Sequence, residues 1–118
     1  MRVQVERRHH GSILMASLTG ELDHHAAEAV RTTLDRELQG RRNVRLILDL
    51  SGVTFMDSSG LGVILGRYKK VQDTGGEMVI AGVSRAIDRL LEMSGLHKIV
   101  RMYPNCETAV VALKEVAK

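Results

Sequence analysis

The segment Phe55-Met56-Asp57-Ser58-Ser59-Gly60-Leu61-Gly62 sets two adjacent hydroxyls beside a carboxylate and two glycines. Such a group could supply a nucleophile, an anion cradle or a modification site, and each has its own requirements. A nucleophile elbow needs Gly-x-Ser-x-Gly, but Met56 stands where its first glycine must be. A phosphate loop needs Gly-Lys-Ser/Thr, and no lysine lies in the segment. Attack by Ser58 also needs a general base, and no motif places any of His9, His10, His24, His25 or His97. A Ser58-dependent hydrolase is thus the remote reading. The adjacent histidine pairs point in different directions on either a strand or a helix, and without further ligands no metal site is expected. What remains is a serine that caps a helix or one that is modified. A serine just before a helix is most often its cap, and residue types leave open whether Ser58 or Ser59 fills that position.

The elements that must position this corner follow from periodicity. Val3 and Val5 alternate with polar neighbours, Gly11-Ser12 signals a turn, and Ile13 to Leu18 is apolar, which predicts an antiparallel hairpin. Asp23 is a candidate N-cap for a helix carrying Ala26, Ala27, Val30, Leu34 and Leu38 and ended by Gly40. Val44, Leu46, Leu48 and Leu50 alternate along a strand that, following a helix, should pair in parallel with the second one. Leu61, Ile64, Leu65, Tyr68 and Val71 then mark the buried face of a helix broken by Gly75-Gly76. Met78 to Ala81 is a strand, Ser84 caps a helix carrying Ile87, Leu90 and Leu91, and Ile99 to Met102 is a short edge strand. Asn105 caps a last helix with Val110, Leu113 and Val116 inward and Glu107 in its first turn. The order β-β-α-β-α-β-α-β-α predicts one α/β domain with a mixed, mostly parallel sheet. The Asp57 corner lies between a strand's carboxyl end and a helix start, where open α/β sheets build their sites. Gly60, Gly62 and Gly66 each disfavour that helix. Close packing against the sheet is the expected cause, and a flat surface open to another protein the second reading.

Composition narrows the function classes. The 118 residues are 44% hydrophobic and 26% charged, enough for one core and too apolar for disorder. Phe55, Tyr68 and Tyr103 are the only aromatics, which argues against base stacking. The formal net charge of +3 is scattered in pairs such as Arg7-Arg8, Arg41-Arg42 and Lys69-Lys70 rather than gathered into a stripe, so direct nucleic-acid binding is not expected. The single cysteine, Cys106, precludes an internal disulfide and is expected to be a small buried or half-buried residue. No apolar run reaches the roughly 20 residues of a membrane span, and Met1 to His10 has no hydrophobic signal core. A cytoplasmic protein is expected, and no membrane partner.

Residues Phe55 to Lys69, reading FMDSSGLGVILGRYK, strongly resemble the phosphoacceptor loop and helix of STAS-domain anti-sigma factor antagonists. Gly20-Glu21-Leu22-Asp23-His24-His25, Gly76-Glu77-Met78-Val79 and Met93-Ser94-Gly95-Leu96 match in order, so the resemblance covers about residues 19 to 101. Details around Glu21-Leu22-Asp23 and Val63 to Tyr68 are similar to the sporulation type, with the general-stress type the near alternative. A transporter-linked STAS domain is disfavoured by the lack of a membrane segment. The resemblance implies a single STAS domain over residues 1–118, with helices packed on one side of the sheet. It implies that Ser58 is phosphorylated by an anti-sigma factor that is an ATP-dependent serine kinase. The unphosphorylated protein then binds that factor and releases a sigma factor, and a metal-dependent serine phosphatase reverses the modification. Asp23, Asp57, Ser58, Ser59, Gly60 and Gly62 would form the partner surface. No cofactor and no enzymatic activity are implied. A phosphate on Ser58 is expected to be partly stabilised by the helix dipole.

Overall fold

A computed structural model describes residues 1–116, without the side chains of residues 115 and 116, so the inward position expected for Val116 lies outside the described residues. The chain forms β1 (Arg2–Arg8), β2 (Ile13–Leu22), α1 (His24–Leu38), β3 (Arg45–Met56), α2 (Ser58–Asp73) and β4 (Glu77–Ala81). It continues with α3 (Arg85–Met93), a 3-10 turn (Leu96–Lys98), β5 (Arg101–Tyr103) and α4 (Cys106–Val116). The sheet order is β1-β2-β3-β4-β5, with β1 antiparallel to β2 and every other pair parallel. The expected element order and mixed sheet are therefore present. The caps expected at Asp23, Ser84 and Asn105 also form, accepting from the N–H groups of Ala26, Ile87 and Thr108 at 3.0, 3.3 and 2.8 Å.

The strands advance across the sheet in one direction, so right-handed crossovers carry α1, α2 and α3 onto the same face. There Leu14, Ala16 and Leu18 of β2 and Leu46, Leu48 and Leu50 of β3 meet Val30, Leu34, Ile64 and Leu91. The expectation that all helices share that side fails for α4. This helix follows the last strand, and no crossover dictates its face. It covers the opposite one, where Ala109, Val110 and Leu113 meet Ile13, Met15, Ile47 and Val79. The run Leu46-Ile47-Leu48 is buried on both sides, as expected of a parallel strand between two layers rather than a half-exposed one.

Two further boundaries differ from the sequence reading. The last strand lies at Arg101–Tyr103, displaced from Ile99 to Met102 by the 3-10 turn. More important for the site, β3 does not end near Leu50. It runs on to Met56 beside a β2 that extends equally far, pairing Thr19 with Gly52, Gly20 with Val53 and Leu22 with Met56.

Candidate functional site: paired helix starts at the ends of β2 and β3

Leu22 and Met56 are neighbours in register at the carboxyl ends of two parallel strands. The next residue of each strand is an aspartate, and each aspartate is the N-cap of the helix that follows. The starts of α1 and α2 are thereby held side by side. Asp57 joins them. Its Oδ1 accepts from Ser59 N–H at 2.9 Å and Gly60 N–H at 3.2 Å, while Oδ2 accepts from His24 N–H of α1 at 3.0 Å. Its own N–H donates to the Leu22 carbonyl at 3.4 Å. Desolvation pushes the Asp57 carboxyl up, but the donors of Gly60, His24 and Ser59 together with the His24 charge outweigh it. The pKa lies below the ordinary 3.8.

This answers which residue caps α2. Neither serine caps α2, because Asp57 does. Ser58 is the first helical residue and is exposed, with its hydroxyl in no side-chain hydrogen bond among the described residues. Ser59 is half-buried, and its Oγ lies 3.4 Å from His24 Nδ1. The serine that approaches an imidazole is thus not Ser58. Nor does a carboxylate orient the other nitrogen of His24 among the described residues, as a catalytic triad would require.

The three glycines divide. Gly60 is buried, and a Cβ there would fall on the Leu22 carbonyl oxygen and lie 2.7 Å from Met56 Cγ. Its reason is close approach of helix to sheet, as expected, but a buried residue offers no surface to a partner. Gly62 and Gly66 are the reverse case. Apart from the helix's own backbone and chain neighbours, no atom of the described residues lies within 4 Å of a Cβ built at either, so packing does not explain them and they leave an open strip along α2. The buried face of α2 is also turned from the expected one: Val63, Ile64, Arg67 and Val71 point inward, while Leu61, Leu65 and Tyr68 are half-buried. Arg67 is only 7% exposed, and its Nε lies 3.1 Å from Asp35 Oδ1 of α1, which Lys70 also approaches at 3.2 Å.

The sequence places Asp23 and Ser58 correctly at helix starts, which the structure sets side by side, but does not reveal Asp57 as the cap, nor His24 and the Asp35–Arg67 pair. For Asp57 a local signal existed. Leu22-Asp23-His24 and Met56-Asp57-Ser58 share the pattern of an apolar strand residue, an aspartate cap and a helix start. On the second face of the sheet, Cys106 is half-buried as expected, near Asp49, which also accepts from Ser17 Oγ at 3.2 Å. Burial first, and then the Asp49 charge and hydrogen bond, push the Cys106 thiol up to about 11. Among the described residues no helix is long and apolar enough to cross a membrane.

A five-stranded mixed sheet with helices on both faces, presenting an exposed serine at a doubly tied helix start, defines a class. Residues 4–109 match the STAS domain, and the chain belongs to that family. Within it, the chain falls with the anti-sigma factor antagonists. It is 46% identical to the anti-sigma F factor antagonist of Paenibacillus polymyxa over 99% of this chain and 100% of that one. It is 35% identical to the anti-sigma-B factor antagonist of Listeria monocytogenes over 72% of this chain and 74% of that one. The fold superposes on the Bacillus cell fate determinant SpoIIAA in its phosphorylated form with a TM-score of 0.75 and 29% identity, covering 95% of this chain and 99% of that one.

Proposed function

We propose that this protein is a phosphorylation-switched antagonist of an anti-sigma factor that is itself a serine kinase. In the unphosphorylated state it binds that factor and frees a sigma factor, and phosphorylation of Ser58 ends the binding. A metal-dependent serine phosphatase restores the hydroxyl. The cytoplasm is where transcription and ATP-dependent phosphorylation of such a protein meet, and the chain acts there as ligand and substrate rather than as an enzyme. The observation that carries this reading is the exposed Ser58 at the first turn of α2, a turn tied down by Asp57, with its own hydroxyl in no side-chain hydrogen bond among the described residues. Asp23, Ser58, Ser59 and Gly62 supply the contact surface. Asp57 and Gly60 act beneath it by fixing where the two helices begin. Full-length similarity to an anti-sigma F factor antagonist favours the sporulation type over the general-stress type.

Phosphorylation adds about −1.5 to −2 charge and three acceptor oxygens at a position where a partner had packed against a neutral hydroxyl. Mass spectrometry after incubation with the candidate kinase and ATP tests the site. Ser58→Ala should abolish incorporation and Ser59→Ala should retain it, since neither serine caps the helix and both variants should fold. Incorporation that survives in Ser58→Ala, or equal affinity of the modified and unmodified proteins for the kinase in calorimetric titration, would overturn the reading.

A further inference from the structure

Beside Ser58, a groove of about 570 Å³ runs between α1 and α2, with Ser59 and His24 at one end and Arg67 within it. It exists because Gly62 and Gly66 leave the α2 wall bare, with open space where any side chain would stand. Its charge is unbalanced. Arg31 and Arg67 face it with a single carboxylate, Glu28, and His24 and His25 add imidazoles. The Arg67 side chain is about nine-tenths buried, and among the described residues neither its Nε nor its Nη1 has a hydrogen-bond partner. Asp35 lies at ion-pair distance from Nε without making a hydrogen bond to it, and is shared with Lys70. Burial lowers the Arg67 pKa, Asp35 opposes that, and the nearby Arg31 charge lowers it further. An exposed Arg31 in an open cleft, with the buried and loosely paired Arg67 charge behind it, is an arrangement that an anion complements.

We propose that this groove receives an acidic side chain, Asp or Glu, from the anti-sigma factor, extending the Ser58 surface down the glycine strip of α2. The proposal rests on the antagonist reading and deepens it. Charge complementarity selects the occupant, and Ser59, a groove residue next to Ser58, makes the two surfaces continuous. It also gives the switch a second source of repulsion, because a phosphate on Ser58 would stand at the groove's end and oppose the incoming carboxylate.

Kinase binding by calorimetric titration, with thermal melting alongside, tests this on Gly66→Leu, Arg31→Glu and Arg31→Lys, with Ser58→Asp as reference. Gly66→Leu fills the groove from a position with free space and ordinary helical backbone, so it should melt at or above the wild-type temperature while binding about tenfold or more weakly, as for loss of a paired interface charge. Arg31→Glu, at an exposed position, should weaken binding at least as much, and Arg31→Lys should largely retain it. If Gly66→Leu and Arg31→Glu both bind like wild type while Ser58→Asp does not, the groove proposal is overturned and the antagonist reading stands. If wild type itself does not bind the kinase, the antagonist reading fails and the groove proposal falls with it.

Discussion

Gly60→Ala adds one methyl group where α2 meets the end of β2. The new Cβ would lie 2.7 Å from Met56 Cγ and 2.9 Å from Leu22 Cγ, and it would fall on the Leu22 carbonyl oxygen. Carbon atoms rest at roughly 3.5–4.0 Å, so each side chain must give by about 1 Å. Met56 can turn at its far end, but the Leu22 carbonyl cannot. It belongs to strand backbone, accepts the Asp57 N–H and is followed at once by the cap of α1. The first turn of α2 must therefore move outward. Such overpacking costs about 1–3 kcal/mol, and the better helix propensity of Ala returns at most about 1 kcal/mol. A net loss of about 1–2 kcal/mol lowers the melting temperature of a domain this size by roughly 3–12 °C. Because the moving turn carries Ser58, phosphate incorporation should slow at temperatures where the variant is still fully folded. Differential scanning calorimetry and a timed kinase assay at 20 °C check the two halves. A Gly60→Ala protein as stable as wild type would refute the close approach on which the site's geometry depends.

Asp57→Asn keeps an acceptor oxygen but removes the charge that holds three N–H groups. The folded pKa lies below 3.8, so the carboxylate's stabilising effect is complete above that value and is lost as pH falls through the folded pKa. The stability difference between wild type and Asp57→Asn should accordingly be constant near neutral pH and shrink below pH 3.8 in urea titrations; a gap unchanged into strong acid would contradict the assignment. Cys106 should alkylate slowly with iodoacetamide, because a thiol near pKa 11 is only about one part in a thousand thiolate at pH 8. Asp49→Asn should speed that reaction, and labelling of wild type at the rate of a free cysteine would show that the thiol is not shielded as described.

What the sequence disclosed was mostly local. Caps at Asp23, Ser84 and Asn105 are legible because the partner of each is three residues away. Parallel pairing of β2 with β3 follows from the helix between them. The length of β3 was hidden because Ser51, Gly52 and Thr54 look like loop residues, and they are strand only because β2 extends equally far beside them. The face chosen by α4 depends on a second apolar layer, Ile13, Met15, Ile47 and Val79, that alternation alone treats as noise. Arg67 sits at i+3 from Ile64 and i−4 from Val71, squarely on the buried stripe, yet its partner Asp35 is 32 positions away on another helix. Long-range electrostatic partners leave no spacing signal in one sequence.

The count of backbone donors at the start of α2 explains why a switch at Ser58 must act outward. A helix start offers four N–H groups without helical partners, which is what makes such ends good phosphate cradles elsewhere. Here Asp57 N–H donates to Leu22, the N–H groups of Ser59 and Gly60 donate to the Asp57 carboxylate, and Leu61 N–H already bonds the Asp57 carbonyl within the helix. Only the Ser58 N–H is left. A phosphoryl group on the Ser58 hydroxyl would find no ready backbone cradle at its own helix start, and the expected help from the helix dipole is offset by a carboxylate seated on that same end. On the proposed reading, a phosphorylated Ser58 side chain would thus extend from the helix start toward solvent, within reach of a phosphatase and with its charge presented to a returning partner. By using up the donors itself, Asp57 would keep the fold indifferent to the proposed modification and leave the proposed interface sensitive to it.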